Sequence, residues 1–368
     1  MIGGNSKMSG KKSKPPLSYA QAGVNVERAE GALKRIKSHV LSTHGPHVIG
    51  KLGLFSGIFE VPSGYKEPVL LSTTDGVGTK LLVAKEAGLY SSIGVDLVNH
   101  CANDILVHGG KPMFFLDYIG AEKLNPEVIE EIVAGMAGAC RTAGVSLIGG
   151  ELAEMPGLYR NADFDLVGTM VGIAEKSSVV DGSQIQEGDL VIGLSSNGIH
   201  TNGFSLVRKV LLESKRFTLN QMIPELGDTL GTELLKPHRL YMKEVVECLK
   251  TGHVRGMAHI TGGGIPGNIV RILPKNVDAV LRGRVWKMPA IFALVEREGS
   301  VSENEMLKTF NLGIGFVIIV AAKGREQILK ALDSTRNAET KTGGRDSFEI
   351  GEIVRGGGKV IMEENAED

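Results

Sequence analysis

The segment L71-S-T-T-D-G-V-G-T-K80 combines a carboxylate, two glycines and an ammonium group directly after an apolar run. The preceding residues, P-V-L-L at 68–71, are typical of a buried strand, so Asp75 is predicted at the end of that strand. There it would offer the oxygen ligand that Mg²⁺ prefers. Gly76 and Gly78 would let backbone N–H groups approach phosphate oxygens, and Lys80 would add positive charge. On this segment alone, an Asp-Gly turn with a solvated Lys80 is an equally good interpretation.

The segment G94-V-D-L-V-N-H-C-A-N-D-I-L-V-H108 is predicted to form a helix with one polar face. With an advance of ~100° per residue, its polar side chains fall within an arc of ~140° that only Val107 interrupts. They are Asp96, Asn99, His100, Asn103 and Asp104. Short Asp and Asn side chains disfavour helix interiors but suit contacts to ions, so this face favours a cation site. A satisfied polar network is the alternative.

Two glycine-rich loops also follow predicted strands. In I148-G-G-E-L-A-E-M-P-G157, Glu151 follows two glycines, at the kind of strand end where open α/β sheets bind ligands. The loop L194-S-S-N-G-I-H-T-N-G203 precedes a predicted helix, and its polar groups would suit a phosphate or sugar; a capped turn is the alternative. His200 and His259 lie in different glycine-rich loops and are candidates for proton transfer, although a loop histidine is more often structural.

Two common nucleotide-binding motifs do not account for these loops. A P-loop needs Ser or Thr after Gly-Lys, but the Gly-Lys pairs at 50–51 and 110–111 precede Leu and Pro. A G-x-G-x-x-G occurs at residues 262–267, but the helix predicted after it, Asn268–Leu273, is too short for a dinucleotide-binding crossover. The sequence therefore indicates a magnesium–nucleotide site of another kind.

The composition predicts an ordinary globular protein: 368 residues, 42 % of them hydrophobic, with a formal net charge of −1. The near-zero charge and the lack of a nucleic-acid-binding motif argue against nucleic acid and anionic membranes as partners. The 3 cysteines are far apart in sequence, which argues against a zinc site and fits a reducing compartment. No apolar run reaches the ~18 residues of a membrane span and no signal peptide is recognisable, so a cytoplasmic location is expected.

Predicted strands and helices alternate along most of the chain, which favours an α/β or α+β architecture with two domains. Strands are predicted at Val69–Thr73, Met113–Tyr118, Val145–Ile148, Leu166–Ile173 and Leu190–Leu194, and helices at Pro126–Ala143, Phe204–Leu212 and Arg239–Lys250. A turn-rich junction at 176–188 separates a predicted N-terminal, ATP-binding domain, 17–178, from a C-terminal domain, 179–368. Residues 1–16, rich in Gly, Ser, Lys and Pro, are predicted to be a disordered tail.

Nine motifs occur in an order that resembles one family. They are S18-Y-A-Q-A-G-V24, R35-I-K37, D75-G-V-G-T-K80, N103-D104, F114-F-L-D-Y118, G149-G-E-L-A-E-M-P-G157, D189-L-V-I-G-L-S-S-N-G-I-H-T-N-G-F-S-L-V-R-K209, H259-I-T-G-G-G264 and F310-N-L-G-I-G315. Over about residues 17–365 the chain resembles the phosphoribosylformylglycinamidine cyclo-ligases, also called aminoimidazole ribonucleotide synthetases. That family belongs to an ATP-binding superfamily that includes selenophosphate synthetase.

The resemblance implies a ligase that converts formylglycinamidine ribonucleotide to 5-aminoimidazole ribonucleotide, with ATP, in de novo purine biosynthesis. Phosphoryl transfer would activate the formamide oxygen, an amidine nitrogen would attack that carbon, and phosphate would leave. The resemblance also implies Mg²⁺, a C-terminal α/β domain, and a homodimer whose N-terminal domains pair through a shared barrel.

The resemblance further assigns roles to residues that match the family's motifs. The expected metal ligands are Asp75 and Asp104, with Asp96 and Glu151 as further candidates, and the expected catalytic residues are Asp75, His200 and His259. The expected ATP contacts are Lys37, Gly76, Gly78, Thr79 and Lys80. The expected substrate contacts are Ser195, Asn197, Asn202, Gly262 and Gly263.

A few positions depart from the family's usual pattern without removing an expected ligand. Leu152 and His238 stand where Thr is usual, and Phe55-Ser56 interrupts a glycine-rich loop. Within the superfamily, a selenophosphate synthetase needs a reactive cysteine near the N-terminus, whereas the first cysteine here is Cys101. A thiamine monophosphate kinase would lack the H-x-T-G-G-G motif. A non-catalytic nucleotide-binding scaffold for metallocofactor maturation is the alternative of a different class, and it would bind ATP without turnover.

Overall fold

A computed structural model describes residues 17–283, 285–336 and 346–363 of the chain. These residues build two main β-sheets, one from strands between residues 68 and 175 and one from strands between 190 and 363. The boundary predicted at 178/179 falls in the connection between the sheets, and the exact domain limits stay a prediction. The predicted tail, 1–16, lies outside the described residues.

The elements alternate between strand and helix, as expected for a mixed α/β protein. The strands are β1 (Val48–Ile49), β2 (Ile58–Phe59), β3 (Pro68–Gly76), β4 (Lys111–Ala121), β5 (Ser146–Glu154), β6 (Phe164–Glu175), β7 (Leu190–Ser195), β8 (Met222–Ile223), β9 (Asp228–Thr229), β10 (Val254–His259), β11 (Val277–Arg282), β12 (Ile314–Val320), β13 (Ser347–Arg355) and β14 (Val360–Glu363). The helices are α1 (Val26–Leu41), α2 (Lys80–Ala87), α3 (Ser91–Leu106), α4 (Pro126–Ala143), α5 (Phe204–Val207), α6 (Leu230–Leu234), α7 (Met242–Lys250), α8 (Gly264–Ile269), α9 (Ala290–Gly299), α10 (Glu303–Thr309) and α11 (Arg325–Thr335). None of the helices in the described ranges has the length and apolarity to cross a membrane.

The first sheet has the strand order β3-β6-β4-β5, in which β4 and β5 run parallel and the other pairs antiparallel. Helices α3 and α4 cover one face, and α1 packs on α4. Apolar side chains such as Leu97, Phe115 and Ile132 are buried between these layers. The other face is less covered, because Leu116 and Val171 are only half-buried and Leu70 is 65 % exposed.

The second sheet has the order β10-β12-β7-β13-β11-β14. All of β12 is buried, because apolar layers cover both of its faces. Phe316 and Ile318 face a cluster that includes α7 and α11, whereas Val317 and Ile319 face a cluster that includes α8. This alternation follows the two-residue period of a strand and explains why the segment is continuously hydrophobic.

Helix α4 begins and ends where the sequence predicts. The side chain of Asn125 accepts hydrogen bonds from the first free N–H groups, and Pro126 occupies the first helical position. The helix ends at Gly144, whose φ of +64° is the left-handed conformation that glycine adopts readily. Local sequence therefore determines both ends of this helix.

Other elements differ from the prediction because distant segments set their limits. Strand β3 continues to Gly76 along β6 and β5 continues to Glu154 along β4, so Asp75 and Glu151 lie inside strands instead of after them. Helix α7 begins at Met242, three residues later than predicted, because the residues before it bind helix α3. The predicted helix after Phe204 changes from α-helix to a π-helical segment at Arg208–Glu213.

Candidate active site

A cleft of ≈ 620 Å³ lies between the two domains. Strand β3 and helix α3 line one wall with Thr73, Asp75 and Asp104. Strand β10 and the segment after α8 line the other wall with His259 and Arg271. The cleft therefore collects polar side chains from segments that are almost 200 residues apart in sequence.

Six side chains beside this cleft form a continuous series of hydrogen bonds, which we call the imidazole chain. In order they are Asp75, His100, Thr201, His238, His259 and Asp104. Successive polar atoms are 2.7, 2.9, 3.4, 2.8 and 2.9 Å apart. Both terminal carboxylates belong to the N-terminal domain, whereas Thr201 and the last two histidines belong to the C-terminal domain. The imidazole chain therefore crosses the domain interface twice.

The imidazole chain requires one protonated imidazole when all five contacts, including the longest at 3.4 Å, are hydrogen bonds. Each of its five hydrogen bonds needs one proton, and the two terminal carboxylates only accept. Three neutral imidazoles and one hydroxyl supply four protons. One histidine therefore carries a second N–H and a positive charge.

His100 is the histidine best placed to carry that charge. Burial opposes its charged form, but the hydrogen bond to Asp75 and the negative charge of Asp75 outweigh burial and raise the pKa of His100. Burial lowers the pKa of His259 in spite of its hydrogen bond to Asp104. Burial also lowers the pKa of His238 well below its usual value. With His100 cationic, the remaining hydrogen bonds all run from it towards Asp104.

The two terminal carboxylates are ionised at neutral pH. Burial acts to raise the pKa of Asp75, but the hydrogen bond from His100 and its charge lower that pKa overall. Burial also acts to raise the pKa of Asp104, but the hydrogen bond from His259 lowers that pKa overall. The two carboxylate side chains remain 42 % and 29 % exposed, so their oxygens can reach a cation in the cleft.

Lys80 and Asp96 form an ion pair that the structure buries completely. Nζ and Oδ2 lie 2.7 Å apart, and both side chains are 0 % exposed. The ammonium also donates to the carbonyl oxygens of His200 and Lys236, and Asp96 Oδ1 accepts from the N–H of His238. Since both side chains are fully buried and paired with each other, the structure does not support the predicted phosphate contact of Lys80 or metal contact of Asp96. The pair instead joins the two domains.

The polar face of α3 is used mainly for docking the domains. Asn99 and Asn103 donate to the carbonyl oxygens of His238 and Arg239 at 2.7 and 2.8 Å. The N–H of Tyr241 donates to Asn103 Oδ1 at 3.0 Å. At these positions the structure has the polar network that was the alternative to a cation site, although Asn99 Oδ1 has no hydrogen-bond partner among the described residues. The cation interpretation remains open for Asp104, which lines the cleft.

His200 lies behind His238 and does not line the cleft. The two rings are stacked with centroids 4.0 Å apart, and His200 is 3 % exposed. Neither ring nitrogen of His200 has a hydrogen-bond partner among the described residues. Burial lowers the pKa of His200 well below its usual value. Its catalytic role stays a prediction that this conformation does not directly support.

Three predicted ligands lie away from the cleft. Lys37 is exposed on α1, which packs on α4. Glu151 is exposed on β5, three strands across the sheet from Asp75, which is a separation of roughly 14 Å. Asp75 and Glu151 therefore cannot bind one ion within a single chain. The hydroxyl of Thr79 lies 3.0 Å from that of Ser205, across the domain interface.

The predicted substrate contacts separate into two groups. Ser195 and Asn197 line a second cleft of ≈ 530 Å³, where Arg239 donates to the carbonyl and hydroxyl oxygens of Ser195. The second group, Asn202, Gly262 and Gly263, does not line the first cleft, but Gly262 follows Thr261, which does, and Asn202 lies beside Gly262. Asn268, which lines the first cleft, donates to the carbonyl oxygen of Gly262 at 3.2 Å.

Three members of the imidazole chain, His100, Thr201 and His238, are not predicted as site residues. From the sequence, His100 is one polar member of a helix face, and His238 is a departure from the family's usual Thr. The available signal is that His100 lies in the same predicted helix as Asp96 and Asp104, and Thr201 in the same loop as His200, whereas no quoted motif contains His238. Their partners, however, are more than 20 residues away in sequence, so the pairing depends on the tertiary fold.

Two family models match the chain. Residues 59–174 match the AIR synthase related protein, N-terminal domain, and residues 186–363 match the AIR synthase related protein, C-terminal domain. The matched ranges contain the first and the second sheet respectively.

Solved structures with the same fold include two proteins at 16 % sequence identity. The thiamine-monophosphate kinase from Stenotrophomonas maltophilia K279a has a TM-score of 0.66 and covers 91 % of this chain and 97 % of its own. The E. coli hydrogenase maturation protein HypE has a TM-score of 0.62 and covers 92 % and 95 %. At this identity the likeness shows the fold alone.

Curated relatives are much more similar in sequence. The phosphoribosylformylglycinamidine cyclo-ligase of Carboxydothermus hydrogenoformans is 46 % identical over 349 residues, which is 95 % of this chain and 99 % of that protein. The enzyme of the same name from Bifidobacterium longum is 49 % identical over 319 residues, which is 86 % and 92 %. These identities over nearly full length confirm the resemblance, and the chain belongs to the phosphoribosylformylglycinamidine cyclo-ligase family.

Proposed function

We propose that the chain is a ligase that uses ATP to close the imidazole ring of formylglycinamidine ribonucleotide, giving 5-aminoimidazole ribonucleotide in purine biosynthesis. Near-full-length identity to proteins named for this cyclo-ligase activity carries the proposal. The two ionised carboxylates and His259 in one cleft supply chemical groups that suit it. The scaffold alternative is not favoured, because the maturation protein HypE shares only the fold.

Asp75 and Asp104 suit a magnesium ion on the nucleotide phosphates, because both offer charged oxygens to the cleft. Such an ion, when bound, neutralises phosphate charge and polarises the transferred phosphoryl group. Gly76 and Gly78 precede helix α2, and the φ of +71° at Gly78 lets the backbone turn there without a Cβ clash. Backbone N–H groups at that turn are suited to hold phosphate oxygens.

The reaction replaces a carbon–oxygen bond by a carbon–nitrogen bond. Phosphorylation converts the formamide oxygen into a leaving phosphate, the amidine nitrogen attacks the carbon, and ATP ends as ADP and phosphate. The attacking nitrogen must also lose a proton. His259 lines the cleft and is connected to Asp104, so the imidazole chain can take up that proton close to the reacting atoms.

The substrate ribonucleotide carries a phosphate and hydroxyl groups that need polar partners. Asn202, Gly262 and Gly263 lie near the cleft and are proposed to hold it, together with Arg271 as a positive charge for the phosphate. Ser195 and Asn197, in the second cleft, stay proposed contacts without further support. Lys37 and Thr79 stay proposed nucleotide contacts on the family resemblance alone.

We also propose a homodimer, in which the less covered face of the first sheet meets the same face of a second chain. The half-buried apolar side chains on that face and the open edges at β3 and β5 support this arrangement. A barrel formed by two such sheets would cover the face and close the edges. The cytoplasmic location stays a prediction.

The direct test is conversion of formylglycinamidine ribonucleotide to 5-aminoimidazole ribonucleotide by the full-length protein with ATP and Mg²⁺, with ADP counted alongside. One ADP for each aminoimidazole formed is expected from the reaction. ATP binding without formation of aminoimidazole ribonucleotide or ADP would contradict the proposal and favour a non-catalytic scaffold.

The variant Asp75→Asn tests the proposed site within the same assay. Asn preserves the shape of the side chain but removes the charge, so turnover should fall at least about 100-fold while the fold is retained. The matched control is Asp163→Asn, because Asp163 pairs with Lys85 at the surface, away from the cleft. Unchanged turnover in Asp75→Asn would show that Asp75 is not part of the active site.

A further inference from the structure

Three possible metal-ligand atoms converge at the cleft, and a fourth lies beside one of them. One ring nitrogen of His100, one ring nitrogen of His259 and a carboxylate oxygen of Asp104 all lie within 4.8 Å of one another. Asp75 Oδ2 lies 2.7 Å from His100 Nε2. All four side chains line the cleft, so an ion could reach them from solvent. Two imidazoles and the carboxylate of Asp104 are thus directed at one small volume, and the carboxylate of Asp75 lies beside His100.

The spacing of these atoms, at most 4.8 Å within the group of three, is close to that in the ligand shell of a small divalent ion. Bonds from Zn²⁺ to nitrogen and oxygen ligands are ~2.0–2.2 Å long, so ligand atoms around one ion are roughly 3–4 Å apart. The present hydrogen bonds, 2.7 Å from His100 to Asp75 and 2.9 Å from His259 to Asp104, would lengthen by about 1 Å or less to admit the ion. Small side-chain rotations provide such a change.

Both histidines are held by their outer ring nitrogen. His100 Nδ1 lies 2.9 Å from Thr201 Oγ1, and His259 Nε2 lies 2.8 Å from His238 Nε2. Metal-binding histidines almost always have such a partner, which fixes the ring and its tautomer. Thr201 and His238 therefore orient the rings so that the inner nitrogens face the two carboxylates.

We propose that His100, His259, Asp104 and Asp75 bind a divalent first-row transition-metal ion, such as Mn²⁺ or Zn²⁺, in the absence of nucleotide. Imidazole nitrogen suits these ions, whereas Mg²⁺ takes oxygen ligands. The site therefore shares Asp75 and Asp104 with the magnesium ion proposed for the nucleotide, but differs from it in using both histidines. Binding in the absence of nucleotide and substrate can be measured whether or not the proposed reaction is correct.

The first experiment uses metal-stripped, full-length protein without an affinity tag, titrated with Mn²⁺ in the absence of nucleotide. Pulsed electron paramagnetic resonance of the bound Mn²⁺ should show coupling to imidazole nitrogen, and one ion per chain should persist in excess Mg²⁺. Bound Mn²⁺ without nitrogen coupling, or its displacement by an equal concentration of Mg²⁺, would overturn the proposal.

Two variants then test the individual ligands. His100→Gln keeps an N–H near the position of Nε2, and His259→Asn keeps one near Nδ1, so each preserves a hydrogen bond to its carboxylate but removes an imidazole ligand. Each should weaken Mn²⁺ and Zn²⁺ binding about 100-fold or more. His39→Gln, on the surface of α1, is the control and should bind as the wild type does. Unchanged affinity for Mn²⁺ and Zn²⁺ in both variants would contradict the proposed metal site. If the variants do not fold, the electron paramagnetic resonance of the wild type decides whether the histidines bind the ion.

Discussion

At the scale of single residues, the unusual feature is a group of four histidine rings in contact within the domain interface. His100, His200, His238 and His259 have ring centroids 4.0–5.2 Å apart in successive pairs. Four positive charges could not be held together there, because burial penalises each of them. Only His100, which has Asp75 as its partner, has a raised pKa.

This group predicts that the protein becomes less stable as the pH falls below about 6.5, the usual pKa of histidine. Burial lowers the pKa of His200, His238 and His259 in the folded state, so the unfolded chain binds protons first as the pH falls. Each such group removes up to about 1.4 kcal/mol of unfolding free energy per pH unit in that range. His100 acts in the opposite sense, since its stabilising contribution is complete below the unfolded pKa and is lost at higher pH.

Urea unfolding between pH 7 and pH 5 checks this prediction, with His200→Asn as the diagnostic variant. Asn tolerates the left-handed φ of +69° at this position and does not titrate, so the loss of stability with falling pH should be smaller. His39→Gln, at the surface, should keep the wild-type slope. Equal slopes in all three proteins would show that His200 does not cause the acid sensitivity.

The candidate site could be predicted only in part at this scale. Asp75, Asp104 and His259 line the same cleft, and each of them lies in a segment that the sequence predicts to bind a ligand. The burial of Lys80 against Asp96 could not be predicted, because it depends on carbonyl groups more than 100 residues away. A single sequence does not show which polar groups a second domain will cover.

At the scale of elements, helix α3 determines how the domains meet. Its apolar face packs on α4 and the first sheet, whereas its polar face binds the segment that precedes α7. The helical period therefore predicts both faces correctly, but it does not tell whether the polar face meets water, an ion or protein. Here it mainly meets the backbone of the second domain.

The variant Asn103→Ala tests the docking role of α3. It would leave the carbonyl oxygen of Arg239 and the N–H of Tyr241 without their partner, which should lower the unfolding free energy by about 2–4 kcal/mol. Urea unfolding measures the change. The control Asn197→Ala removes one exposed hydrogen bond, to Pro237, and should change stability by about 1 kcal/mol or less. Equal effects would mean that Asn103 is not important for docking.

The limits of the elements show where local sequence is sufficient. Helix α4 has its capping residues within its own segment, so its ends are predicted correctly. Helix α7 starts later than predicted because Asn103, from another domain, binds the backbone at residues 239 and 241. Element type is thus predictable from the periodicity, but an end that depends on a distant partner is not.

At the scale of the whole molecule, the cleft exists because the two sheets are docked through α3. One domain supplies both carboxylates, and the other supplies Thr201, His238 and His259. A small separation of the domains would break the imidazole chain between His100 and Thr201 and between His259 and Asp104. The candidate site is therefore intact only when the two domains are docked.

The proposed dimer predicts that a charge on the less covered face of the first sheet will separate the chains. Val171 lies on that face in the inner strand β6, so Val171→Asp would bury a carboxylate without a partner in the dimer but leave it near water in the monomer. Size-exclusion chromatography with light scattering should show a wild-type dimer and a monomeric variant. The control Val246→Asp changes an exposed valine on α7, which is 41 % exposed, and should remain dimeric. A monomeric wild type would exclude the dimer. A dimeric Val171→Asp would place the interface elsewhere, because an interface of ordinary size does not tolerate an unpaired carboxylate near its centre.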